Sequence, residues 1–216
     1  MRRLISGLFI TLDGVVEDPH RWNPPYDNRE MTEAVQSALS ASDTHLYGRR
    51  SYDMFRSVFT GPGSERIVHA PIMNDTPKVL ASTNVANAGW GQTTVITDDV
   101  AARIRELKHH PGGTINVQAS PTLVRFLLGE GLLDELHLLI HPLTVGTGQR
   151  LFDGADIPAS FDVIEATPFT TGVISLRLAP KSTAQSTVAA DARQRSVQTR
   201  RWSNHHHDEH QNGVQT

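Results

Sequence analysis

The hydrophobic positions of this chain switch repeatedly between two periods. Residues 3–12 are apolar on both alternations, as in a strand covered on both faces. After a loop, Met31, Ala34, Val35, Ala38 and Leu39 recur at helical spacing and mark one apolar face. Residues 43–47 read as a short buried strand, Gly48 as a close turn and residues 49–55 as the first turns of a second helix. Short strands follow at 78–81 and 93–97, and then a helix whose apolar face is Val100, Ile104 and Leu107, with Asp98 as its cap. Residues 114–118 predict another strand, which runs into a helix with Ser120 at the N-cap, Pro121 in first position and Leu123, Val124, Leu127 and Leu128 turned to the core. A strand at 136–141 and an antiparallel hairpin turning near residues 170–172 complete the pattern.

Three stretches fall outside these periods. Residues 13–28 form a long loop whose Trp22 and prolines argue for order. At its end, Asp27 with Glu30 three residues on fits an N-cap and capping box, and the same carboxylate could instead face a substrate. Residues 60–77 are rich in turn formers and read as a loose crossing of the sheet edge. Residues 181–216 contain no Leu, Ile or Phe and read as a disordered tail beyond a domain of residues 1–179.

Composition narrows the function. A formal net charge of −3 offers no global attraction for nucleic acid or an anionic membrane surface, so any anion must be bound by a local patch. The absence of cysteine removes disulfides, thiolate nucleophiles and thiolate metal sites. The apolar run at 4–12 is short and broken by Ser6, Gly7 and Thr11, so it is read as the first strand and not as a signal peptide. No run approaches the ~20 apolar residues of a membrane span, and a cytoplasmic protein is expected.

The strongest chemical signal is LYGRRSYDMF at 46–55. Free N–H groups at a helix start, the positive end of its dipole, and the guanidinium groups of Arg49 and Arg50 beside Ser51 all favour an anion there. The alternative is a solvated basic helix start. The strand and helix meeting at Ala119, Ser120, Pro121 and Thr122 repeat the arrangement, and two such turns at the carboxyl edge of an α/β sheet are where a nucleotide lies. Ser82, Thr83 and Asn84 add small polar groups at a third strand end. His109 and His110 suit a helix C-terminus better than a metal pair, and His137 and His141 share one strand face as hydrogen-bonded neutral rings. The tail segment HHHDEH at 205–210 could chelate a metal incidentally.

The order of strand plus DG, the W-N-P-P-Y-D loop, LYGRRSYDMF, KVLAST, ASPTLV and GLLDELHLLIHPLTVGTGQRLF resembles the dihydrofolate reductase superfold over about residues 1–179. Within it the chain is most similar to the C-terminal reductase domain of the bifunctional riboflavin-biosynthesis enzyme (RibD) and its stand-alone relatives. The resemblance implies a three-layer α/β fold: a central mixed, mostly parallel sheet with a C-terminal antiparallel hairpin and helices on both faces. It also implies NADPH as cofactor, hydride transfer to a small pterin-like, ribityl-pyrimidine-like or conjugated carbonyl substrate, and a homodimer. By the same resemblance Gly48, Arg49 and Ser51 hold cofactor phosphate. Ser82, Thr83 and Asn84 meet the 2′-phosphate end, Ser120, Pro121 and Thr122 lie under the pyrophosphate, and Asp13 and Gly14 lie by the nicotinamide. Trp22 and Asp27 are implied to meet substrate, with Asp27 as the catalytic carboxylate and Glu17, Glu30 and Glu135 as competitors. Ala119 stands where the family usually has glycine, and its Cβ is expected to crowd the pyrophosphate. Rival readings are a non-catalytic nucleotide- or pterin-binding protein on the same fold and a metal-handling protein working through its histidines.

Overall fold

The computed structural model describes residues 1–83, 88–154 and 159–181. Asn84 and the segment beyond 181 therefore lie outside the described residues. Eight strands form one sheet: β1 (Leu4–Thr11), β2 (Ser42–Gly48), β3 (Lys78–Ala81), β4 (Thr93–Ile96), β5 (Thr114–Gln118), β6 (Glu135–His141), β7 (Phe161–Pro168) and β8 (Ile174–Pro180). Their order across the sheet is β4-β3-β2-β5-β1-β6-β8-β7. All neighbours from β4 to β6 run parallel, and β8 is antiparallel to both β6 and β7. This is the mixed sheet with a terminal antiparallel hairpin that the sequence implies.

Helices cover both faces, as parallel crossovers require. On one side α4 (Val100–His109) and α5 (Pro121–Gly129) bring Ile104, Leu123, Val124 and Leu127 onto Leu4, Leu46, Val117, Leu136 and Leu138. On the other, α1 (Arg29–Ser40), α2 (Arg49–Thr60) and α3 (Ala70–Asp75) bury Leu39, Tyr52, Phe59 and Met73 against Tyr47, Leu80 and Trp90. Alternating side chains of β2 thus feed two cores, Leu46 the first and Tyr47 the second.

Several local expectations shift. The cap of α1 is Asn28 and not Asp27: the Asn28 side chain accepts from the Met31 N–H at 2.9 Å. Glu30 closes no capping box with Asp27. It accepts from the Thr170 N–H and hydroxyl and from the Asn28 amide, tying α1 to the hairpin turn. The cap of α4 is likewise one residue later, Asp99, whose carboxylate accepts from Ala102 N–H at 3.1 Å. The loose region at 60–77 contains α3, which its turn-rich composition concealed and which Ala70 and Met73 anchor in the core.

The amino edge of the sheet is fastened by charge. Arg2 pairs with Asp43 and donates to Thr44 Oγ1 at 2.7 Å and the Gly113 carbonyl at 3.0 Å. Lys108 donates to Asp134 at 2.6 Å and to the Leu132 carbonyl at 2.7 Å. Glu135, buried at the start of β6, is paired with Arg3, Arg177 and His137. Burial works to raise its carboxyl, but the bonds from Arg177 and His137 outweigh it and hold the group at about 2. These contacts make Glu135 a structural carboxylate remote from the opposite edge.

His45 in β2 is fully buried, and among the described residues neither ring nitrogen has a hydrogen-bond partner. Burial, with the Lys78 charge adding to it, pushes its pKa from 6.5 down to about 4. The unfolded chain then binds the proton more readily, so stability is complete above pH ~6.5 and falls as the pH drops toward 4, by roughly 3 kcal/mol. The variant His45→Leu is expected to flatten the loss of urea stability across that window. An unchanged pH profile would contradict it.

Candidate active site at the carboxyl edge

Because the central strands are parallel, the ends of β1, β2, β3, β5 and β6 share one edge, bringing Asp13, Gly48, Ser82, Ala119 and His141 to the same side. A cleft of about 510 Å³ opens there, lined by Gly48, Arg49, Arg50, Ser51, Ala81, Val100, Ser120, Pro121, Thr122, Leu123, Phe126 and Gln149. The two strand–helix turns singled out in the sequence, 48–51 and 120–122, thus both line one cavity. Its volume suits a small-molecule or cofactor site.

Adjacency of β2 and β5 creates this arrangement. The Gly48 N–H donates to Ser120 Oγ at 2.9 Å, and a Cβ placed on Gly48 would stand 3.2 Å from that oxygen. Glycine is favoured here by the approach of Ser120, whose hydroxyl would have to give by a few tenths of an ångström to admit a Cβ, since the backbone itself is ordinary, with φ −83°. Ser120 occupies the N-cap position of α5, but its side chain caps nothing; the hydroxyl is spent on the other turn. Both Ala119 (φ 49°) and Ser120 (φ 57°) are left-handed. Each such residue costs an L side chain about 1–2 kcal/mol. The position where glycine is usual is therefore a backbone constraint as well as a close approach, and strain of this kind concentrates at functional sites.

The cationic groups are partly engaged. Arg49 pairs with Asp53 at 2.7 Å, one helical turn on, and Arg50 with Glu17 at 3.2 Å. A guanidinium has five donors, so one carboxylate does not exhaust Arg50. Ser51 is buried beneath them in the first turn of α2.

Asp13 and Gly14 do not line the cleft but organise its rim. Asp13 accepts from the Thr11 hydroxyl at 2.5 Å and from the N–H groups of Gly146 at 2.8 Å and Val145 at 3.3 Å. These bonds, Thr11 foremost, hold its carboxyl at about 2. Gly14 turns with φ 84°, and its carbonyl accepts from Leu151 N–H at 2.9 Å. Glu17 accepts from Gln149 N–H at 3.0 Å, and by these bonds the glycine-rich loop of 143–150 is laid along 13–17, with Gln149 at the cleft. The Ser82 N–H donates to the Ile96 carbonyl at 3.0 Å, continuing the β3–β4 ladder, while Thr83 is exposed.

Trp22 and Asp27 lie on the neighbouring loop. Trp22 is buried, its indole N–H donating to the Glu17 carbonyl at 3.0 Å and its ring 4.9 Å from that of His141. Asp27 is exposed, not buried as a substrate carboxylate would be once covered. Sequence reasoning missed Ala81, Val100, Leu123, Phe126 and Gln149 as cleft residues. Phe126 gave a signal, being a large apolar side chain off the core face of α5 and 38% exposed. Among the described residues no three His, Asp or Glu are grouped to hold a metal.

The chain is a mixed, mostly parallel α/β protein with a cleft at the carboxyl ends of its central strands. Residues 2–175 match the model of the RibD C-terminal domain, and the chain belongs to that family. It is 27% identical over 178 residues to the uncharacterized protein YyaP of Bacillus subtilis (strain 168), covering 81% of this chain and 93% of YyaP. Among solved structures it is similar to the diaminohydroxyphosphoribosylaminopyrimidine deaminase/5-amino-6-(5-phosphoribosylamino)uracil reductase of Thermotoga maritima, with TM-score 0.61 and 14% identity over 83% of this chain and 57% of that one. It is also similar to dihydrofolate reductase of Enterococcus faecalis complexed with NADP(H), with TM-score 0.55 and 11% identity over 83% and 97% of the two chains. These likenesses show the dihydrofolate reductase-like fold.

If Ala119 is strained, Ala119→Gly should raise the urea unfolding free energy by about 0.5–1 kcal/mol, since relief of the left-handed backbone exceeds the entropy cost of glycine. A loss of stability would show that the turn is not strained.

Proposed function

We propose that this chain is an NADPH-dependent reductase that transfers a hydride to a small pterin-like or ribityl-pyrimidine-like heterocycle or a conjugated carbonyl compound. The observation that carries the reading is the convergence of Gly48, Arg49 and Ser51 with Ser120, Pro121 and Thr122 on one cleft. Helix N-termini, small side chains and guanidinium groups in one cavity suit a polyphosphate dinucleotide. The names of the similar reductases and the NADP(H) in one of them agree with this choice.

When bound, NADPH supplies the hydride. Arg49 and the first turn of α2 hold phosphate charge, Ser120 and Thr122 offer hydroxyls from α5, and Val100 and Phe126 give apolar walls that exclude water. Alignment of the two reactants is most of what such a site must provide. Asp27, carried on the loop beside the ends of β1 and β6, is assigned to pair with the polar edge of the heterocycle and to assist its protonation. Ala119 supports one alternative, a binding protein without turnover, because its Cβ stands at the strained turn beside the cleft. NADPH oxidation on mixing with candidate substrates separates the two.

We also assign a homodimer. The surface is open at Gly7, where an added Cβ would meet nothing within 4 Å, and β7 exposes Val163 (64%) and Ile164 (46%). Light scattering should give twice the 23.8 kDa chain mass, and a monomer would contradict the assignment.

Two variants test the residue roles. Arg49→Ala should weaken NADPH binding roughly tenfold, as expected for a lost charge-assisted bond, and weaken NADH less; equal losses would count against a 2′-phosphate contact. Asp27→Asn should leave NADPH affinity unchanged while turnover falls about 100-fold. Turnover equal to that of the parent protein would remove Asp27 from the reaction.

A further inference from the structure

His141, the last residue of β6, is fully buried at the carboxyl edge, outside the residues that line the cleft. Its Nδ1 lies 2.9 Å from the Leu139 carbonyl and its Nε2 lies 2.7 Å from the side-chain amide oxygen of Asn23. The rings of Trp22, Tyr26 and Phe9 stand edge-on around it at 4.9, 5.5 and 5.6 Å. Two of those three rings, and Asn23 itself, belong to the loop that ends in Asp27.

The bonding pattern admits two descriptions. An imidazolium could donate from both nitrogens to the two oxygens. A neutral ring has one N–H, and since the Leu139 carbonyl only accepts, that proton must be on Nδ1. Nε2 then accepts from Asn23, whose amide, turned by 180°, presents its NH₂ group. Burial among three aromatic rings disfavours the charged form, and the ring's affinity for a proton is accordingly lowered.

From Asn23 the connection continues through the backbone. The Asn23 N–H donates to the Pro19 carbonyl at 2.8 Å, and the Asn23 carbonyl accepts from Tyr26 N–H at 2.8 Å. The Asp27 N–H in turn donates to the Pro24 carbonyl at 3.3 Å. The loop of 19–27 is thus two successive short helical turns, and the joint between them is the residue whose side chain meets His141.

We infer that His141, as the neutral Nδ1–H tautomer, is the positioning residue of this loop: through Asn23 it fixes the 22–27 segment against the end of β6 and so sets the place of Asp27. The significance of that place rests on the function proposed above, whereas the anchoring does not.

The test uses the full-length protein. Arg21, with its side chain 73% exposed, lies in the anchored loop and is a trypsin site. His141→Phe keeps a ring among the aromatics but removes both bonds; nicking after Arg21 under native conditions should accelerate about tenfold, the size of one lost buried hydrogen bond. NADPH affinity should stay within twofold. Turnover of a reducible substrate should fall, in the same direction as in Asp27→Asn and by less than the roughly 100-fold expected of that variant. Asn23→Ala approaches the same contact from the exposed side and should accelerate nicking similarly if His141→Phe does not fold. In the parent protein, ¹⁵N-edited imidazole spectra should show a proton on Nδ1 and none on Nε2. An Nε2–H or doubly protonated ring, or nicking unchanged in both variants, would overturn the inference. Faster nicking in a protein that fails to bind NADPH would keep the anchor and reject the reductase reading.

Discussion

The hydrogen bond from the Gly48 N–H to the Ser120 hydroxyl is the contact on which the site depends. It joins the end of β2 to the end of β5 and sets the separation of the helix starts that follow them. Two features of the chain answer to it. Gly48 leaves room for Ser120 to come close, and Ser120 leaves its own helix uncapped to make the bond. The left-handed Ala119 and Ser120 give the geometry that turns the hydroxyl across the gap. A turn that gives up a cap and takes left-handed backbone does so where the paired strands β2 and β5 end side by side, at the cleft.

The sheet divides labour between its edges. The amino edge is secured by Arg2 with Asp43, Lys108 with Asp134, and Glu135 with its three cationic partners. With that edge fixed, the carboxyl edge can hold backbone donors, small hydroxyls and guanidinium groups without collapsing. The loops there are not left loose. Asp13 and Glu17 gather the N–H groups of the glycine-rich segment, and His141 receives the loop of Asn23.

Much of this was legible in the sequence because it depends on periodicity and strand ends. The parallel core, the closing hairpin, and the meeting of residues 48–51 and 120–122 at one sheet edge follow from local pattern and the family resemblance. Other features were not legible, for physical reasons. The caps of α1 and α4 each moved by one residue, to Asn28 and Asp99, because adjacent polar residues of similar capping strength are separated only by the backbone path leading into the helix. The helix α3 was hidden in a segment rich in Gly and Pro, its formation decided by Ala70 and Met73 meeting a core built from distant strands. The bond between Ser120 and Gly48 spans 72 positions, and no local signal announces that a residue at an N-cap will spend its hydroxyl elsewhere. His141 read correctly as a buried, bonded ring, yet its partner Asn23 lies 118 residues away.

The most direct test of this account is a titration of the ¹⁵N-labelled protein with NADPH, following backbone amide resonances. The account predicts saturable shifts concentrated at residues 48–51 and 120–122, with the Gly48 amide among the largest because its bond to Ser120 lies at the cleft. The amide resonances of the charged amino edge around Asp43 and Asp134 should stay still. Absence of any shift at millimolar NADPH, or shifts confined to the open surface at Gly7, would contradict the central claim that the two strand–helix turns form the cofactor site.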